Sequence, residues 1–83
     1  MKKGIAGTTE SSDCRITVES YEGTLILVDS IVIDFFGDHI EQLVKATLQE
    51  LKVDNVKVSV VDKGAYDYTI KARLMTALER YGE

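Results

Sequence analysis

The side chains from which this sequence could build chemistry are mostly scattered, and one short run stands apart. Ser11 and Ser12 lie in Ala6-Gly7-Thr8-Thr9-Glu10-Ser11-Ser12-Asp13. A serine that accepts a covalent group needs an accessible hydroxyl on a backbone able to enter a transferase active site. Gly7 and its short polar neighbours meet both needs. The same composition also suits a disordered polar terminus with incidental serines, and composition alone leaves both readings open. Ser30, in Asp29-Ser30-Ile31, is a second hydroxyl of interest and also has the residue type of a strand end or helix N-cap. Lys63 offers an amine in the turn-like Asp62-Lys63-Gly64-Ala65. The single histidine, His39, has no second histidine with which to bind metal or form a relay. The single cysteine, Cys14, falls on the inward set of an alternating segment, which suits packing better than nucleophilic attack. Glu41, Glu50 and Asp54 read as a solvated helix face, and no glycine-rich phosphate loop, metal-ligand cluster or catalytic-triad spacing is visible.

Positioning any of these groups takes a fold, and 83 residues with a 45% apolar fraction are enough for one modest core. The net charge of −4 argues against nucleic acid, which selects a surplus of Lys and Arg, and is compatible with docking onto basic protein surfaces. One cysteine permits no internal disulfide and fits a reducing compartment. Lys2 and Lys3 are not followed by an apolar leader, and no apolar run approaches a membrane span. The expectation is a cytoplasmic protein.

Residues 1–13 have no periodicity and are expected to form a flexible N-terminal arm, with residues 14–83 as a single domain. From Cys14 the pattern alternates, with Ile16 and Val18 on one side and Arg15, Thr17 and Glu19 on the other. Tyr21-Glu22-Gly23 then reads as a turn, and Thr24 to Val28 as the second strand of a hairpin. Val32, Phe36, Ile40, Leu43, Val44, Thr47, Leu48 and Leu51 recur at spacings of three and four, predicting a central helix. Its start is either at Ser30, with Gly37 inside, or at Asp38, with Glu41 completing a capping box. The Val32–Phe36–Ile40 spacing favours the earlier start. Val56, Val58 and Val60 predict a third strand. Tyr68, Ile70 and Ala72 alternate as a fourth would, although Ile70, Leu74, Ala77, Leu78 and Tyr81 also fit a helix. The resulting expectation is an α+β fold, a small two-layer ββαββα domain with an antiparallel sheet packed on a central helix. Its core is predicted to hold Ile16, Val18, Ile40, Val44, Leu48, Val58, Val60 and Ile70.

Three motifs in order along the chain carry a family resemblance. The first is the run from Ala6 to Asp13, which follows the pattern A-G-T-x-E-S-[SG]-D. The second is Phe36-Gly37-Asp38 followed by Ile40. The third is Val61-Asp62-Lys63-Gly64-Ala65, then Asp67, then Ile70-Lys71-Ala72-Arg73. Together they resemble the citrate lyase acyl carrier protein, the gamma subunit of that complex. Tyr66 and Tyr68 depart from the family pattern, which has Leu and Cys there. The carrier subunit of malonate decarboxylase resembles this chain less well around Asp62 to Ala65.

The resemblance implies that Ser11 carries 2'-(5''-phosphoribosyl)-3'-dephospho-coenzyme A through a phosphodiester. Ser12 is the less favoured neighbour, because the pattern admits glycine there. It also implies a prosthetic-group transferase and two partner subunits. The alpha (transferase) subunit exchanges acetyl for citryl on the arm, and the beta (lyase) subunit cleaves the citryl thioester to oxaloacetate. The carrier itself would be a non-catalytic subunit in citrate fermentation. The alternatives are a malonate-decarboxylase-type carrier, an ordinary phosphopantetheine carrier using Ser30, and a module with no arm. Asp29-Ser30-Ile31 resembles the Asp-Ser-Leu motif of phosphopantetheine acyl carriers, but those are all-helical and the residues before Ser30 are strand-like. A turn lysine such as Lys63 resembles the attachment point of lipoyl and biotinyl domains, whose two-fold symmetry this sequence lacks. A plain interaction module with no arm is the rival from another class.

Overall fold

Strand β4 (Val56–Asp62) is the centre of the molecule. Val56, Val58, Val60 and Asp62 point into the core, and the residues between them lie half-buried on the other face. The computed structural model describes residues 2–83. On one side of β4 runs β2 (Cys14–Ser20), antiparallel, with Val18 opposite Val58 and Ile16 opposite Val60. On the other side runs β3 (Leu25–Ser30), parallel, with Ile26 opposite Val58. Strand β1 (Lys3–Gly7) pairs antiparallel with the outer edge of β2, giving the order β1-β2-β4-β3.

Helix α1 (Ile33–Glu50) packs on β3, and α2 (Asp67–Gly82) packs on β1 and β2. Both bury a stripe against one face of the sheet: Ile40, Val44 and Leu48 from α1, and Ile70, Leu74 and Ala77 from α2. The fold is α+β, in two layers around one core, as the patterning predicts. All eight residues assigned to that core are buried.

The arrangement of elements differs from expectation in three places. The segment 1–13 is not a featureless arm, because Lys3–Gly7 is an edge strand. Its alternation is invisible in hydropathy because the inward positions are Gly4 and Ala6. Gly4 must stay bare: α2 packs on β1, and a Cβ on Gly4 would strike the backbone of α2 at Ala77 and Tyr81. Second, residues 68–72 belong to α2. The short alternation there is weaker than the Ile70–Leu74–Ala77–Tyr81 stripe, and good helix formers from Lys71 to Arg80 reinforce the helix. The element order is therefore βββαβα. Third, β2 and β3 are not hairpin partners, because β4 lies between them and the sheet is mixed. The Tyr21–Thr24 turn instead crosses the start of β4, where Asn55 accepts from the Tyr21 amide at 3.1 Å and the Gly23 amide at 3.0 Å. β4 is apolar on its inner face from Val56 to Val60, so pairing it on both edges buries the most apolar surface.

The central helix follows the longer reading in keeping Gly37 inside, but it starts at Ile33 with Val32 at the N-cap; Ser30 ends β3 and bonds Asp62 instead of capping the helix. Gly37 is buried inside α1 beneath the tip of the Ile33 side chain.

Candidate attachment site

The Ser11 segment is the connection between β1 and β2, at one end of the sheet. Gly7 opens it with a φ of 92°, and a Cβ there would collide with the Cys14 carbonyl. That position requires glycine on both counts. The chain then closes a β-turn over Glu10-Ser11-Ser12-Asp13, with the Asp13 amide donating to the Glu10 carbonyl at 3.1 Å. Ser11 and Ser12 are the two central residues and both are exposed. Ser12 has a φ of 65°, in the left-handed region. Glycine is relaxed in that conformation, which accounts physically for a pattern that admits Ser or Gly there.

Beneath the turn, the contacts are dense. The Asp13 carboxylate accepts from Thr8 Oγ1 at 2.7 Å and from the Cys14 amide at 2.7 Å. It also accepts from Arg73 of α2 in a two-pronged pair at 3.0 and 3.1 Å. The Ser12 amide donates to the Lys63 carbonyl at 2.8 Å, and the Lys63 amide donates back to the Asp13 carbonyl at 2.9 Å. The loop after β4 and the first half of α2 thus hold the base of the turn, while the Ser11 hydroxyl faces solvent. Asp13 and Arg73 stand in the first and third motifs, sixty positions apart, and periodicity gave neither a role.

The Arg73 guanidinium, then the Thr8 hydroxyl and the Cys14 amide, hold the Asp13 carboxyl down at about 2. A carboxyl depressed in the folded state stabilises it fully above the ordinary carboxylate range near pH 4. That contribution is lost as pH falls towards about 2. Denaturation midpoints of the wild type and Arg73→Ala should differ by a constant amount above about pH 4 and converge on acidification. A gap independent of pH down to pH 2 would show that the pair does not hold the loop.

The other candidates lie elsewhere. Ser30 is buried; its hydroxyl donates to Asp62 at 2.7 Å and accepts from the Val32 amide at 3.1 Å. Asp62, also buried, accepts in addition from the Gly64 and Ala65 amides at 3.2 and 2.9 Å. Together these bonds fix the β3–α1 and β4–α2 corners against each other. Lys63 acts through its backbone, as the clamp under Ser12 and Asp13. His39 lies on the surface of α1, 2.7 Å from Asp67, and no group of three potential metal ligands occurs among the described residues.

Cys14 is fully buried, and burial, with the Asp13 and Asp62 carboxylates adding to it, pushes its thiol up to about 11. At neutral pH it is a protonated core residue. Labelling with a maleimide should be slow in the native protein and complete in denaturant. Rapid native labelling would mean that the β1–β2 end opens readily.

The chain and its fold have counterparts among known proteins. The family model described as malonate decarboxylase delta subunit, an acyl carrier protein, matches residues 1–81. The citrate lyase acyl carrier protein of Lactiplantibacillus plantarum is 49% identical over 77 residues, covering 92% of this chain and 80% of that one. That of Fusobacterium nucleatum is 48% identical over 82 residues, covering 96% and 87%. A chain of the crystal structure of a Pseudomonas malonate decarboxylase hetero-tetramer in complex with malonate superposes with a TM-score of 0.83, over 98% of this chain and 84% of that one, at 19% identity. That likeness establishes the shared fold. With identity near one half across almost the whole length, this chain belongs to the citrate lyase acyl carrier protein family.

Proposed function

We propose that this chain is the acyl carrier subunit of a citrate lyase and that Ser11 is the residue that bears its arm. The observation behind this reading is the contrast between an exposed hydroxyl at the tip of the turn and the bonded framework below it. A transferase can reach Ser11 Oγ without disturbing the core. The residues fit a phosphodiester-linked group: the hydroxyl stands free of the Asp13 pair, whose charge Arg73 compensates. The group would be 2'-(5''-phosphoribosyl)-3'-dephospho-coenzyme A. When bound, it supplies a terminal thiol whose acyl thioesters are better electrophiles, and more acidic at the α-carbon, than the carboxylates themselves.

The protein's part in this reading is positional and non-catalytic. The turn presents the arm at one end of the sheet, and tethering raises its effective concentration at the alpha (transferase) and beta (lyase) active sites. A prosthetic-group transferase is the third partner. Neither nucleic acid nor membrane is expected to bind; the net charge is −4, and no helix among the described residues is long and apolar enough to cross a membrane. The cytoplasm is the proposed compartment, where the lone Cys14 thiol stays reduced.

Burial weighs against Ser30 as the attachment point, since modifying it would require opening the Asp62 network. Intact mass of protein expressed in a host that makes the prosthetic group tests the reading, with peptide mapping to place the addition. The expected result is one added group on the peptide that contains Ser11. No addition, in a host shown to load a known carrier, would favour an interaction module without an arm.

A further inference from the structure

An open cleft of about 540 Å³ lies between the start of α1 and the β4–α2 corner, and Asp62 lines it one residue before Lys63, which bonds the attachment turn. Val32, Phe36, Ile40, Ala65 and Ile70 form its walls. At its mouth stand Tyr66 and Tyr68, 67% and 74% exposed, with their rings stacked at 5.6 Å and 9° from parallel. Large aromatic rings left this open on a small domain mark a binding surface. The cleft is joined to the turn: Ser12 and Asp13 bond the Lys63 backbone, and Tyr66 follows three residues later.

Resting on the assignment of the arm to Ser11, we infer that this cleft receives the adenine base of the arm, stacked on the Tyr66–Tyr68 pair. The base is separated from the serine by one phosphate and two sugars, a reach comparable to roughly three extended residues. The chemistry of the cleft selects this part of the group. Its two carboxylates are already engaged, Asp62 by Ser30 and two amides and Asp67 by His39. They offer no donor to a phosphate or to the multiply anionic citryl end, whereas a neutral flat base gains stacking on the open rings. Seating the base would anchor the root of the arm and leave the thiol end free for partner active sites.

Loaded and unloaded protein, both verified by intact mass, should be compared by NMR with the tyrosine rings isotope-labelled. In the loaded protein the Tyr66 and Tyr68 ring signals should shift, with nuclear Overhauser contacts from the adenine protons to these rings and to the Ala65 methyl. The double variant Tyr66→Leu/Tyr68→Leu changes exposed residues and should fold and load normally. Its ratio of docked to free base should fall by a factor on the order of ten or more. Unchanged tyrosine signals in fully loaded protein would overturn the inference. So would contacts from the pantetheine methyls in place of adenine, or changes that appear only on adding a partner subunit. Absence of loading in a competent host would remove the attachment assignment and this inference together, and the mass measurement separates that failure from the others.

Discussion

Ser11→Ala should yield a folded protein with no detectable covalent group and no ability to restore activity to carrier-free citrate lyase. The expected loss is complete, because no other exposed hydroxyl has the same setting. Thr8 is tied to Asp13, and Ser30 lies buried against Asp62. Ser12 is exposed and adjacent, but it sits at a φ of 65° with its amide bound to Lys63. Ser12→Ala should therefore load nearly as well as the wild type, and Ser12→Gly should load while relaxing the turn. Intact mass gives the loading, and thermal unfolding shows that each variant is folded. The Ser11 side chain makes no hydrogen bond among the described residues, so Ser11→Ala should shift stability by less than about 0.5 kcal/mol. Loading of Ser11→Ala on the peptide that contains Ser30 would mean that this chain is an ordinary phosphopantetheine carrier.

The largest effect on stability is expected from Val58→Asp. Val58 is fully buried on the central strand, opposite Val18 of β2 and Ile26 of β3. An aspartate there has no partner, since the nearest positions across both strand pairs are aliphatic. Uncompensated burial of a carboxylate costs several kcal/mol, a large part of the about 5–15 kcal/mol that stabilises a domain of this class. Circular dichroism should show an unfolded or aggregating chain at neutral pH. Val61→Asp, on the half-buried opposite face, should fold, and the contrast tests the inward and outward assignment of β4. Cooperative unfolding of Val58→Asp near the wild-type midpoint would mean that the core is placed wrongly.

The attachment segment, the central helix and the core were legible in the sequence because each depends on local information. The turn is marked by residue types, α1 by a stripe eighteen residues long, and β4 by three alternating valines. Five of the eight core residues follow from those two periods, Ile16 and Val18 follow from the alternation of β2, and Ile70 faces inward in either period its segment satisfies. The features that were not legible involve partners distant in the chain. β1 looked unstructured because its inward positions are Gly4 and Ala6, and Gly4 is bare for the sake of α2, whose backbone comes to rest on it more than seventy residues later. Residues 68–72 satisfied two periods at once, and only the surface of β1 and β2 available to be covered selects the helix.

The candidate site divides along the same line. Residue types around Ser11 indicated a hydroxyl that a transferase could modify, and nothing beyond the local chain was needed for that. What braces the hydroxyl is the Arg73 fork on Asp13 and the Lys63 backbone under Ser12, contacts that exist only after β4 and α2 have been placed. The insertion of β4 between β2 and β3 was likewise invisible locally, since the Tyr21–Gly23 turn suits a hairpin as well as a crossing. Local pattern determines which face of an element is apolar. Which element covers that face depends on how the most apolar strand is paired on both edges, and that is settled by the surface buried in the whole domain.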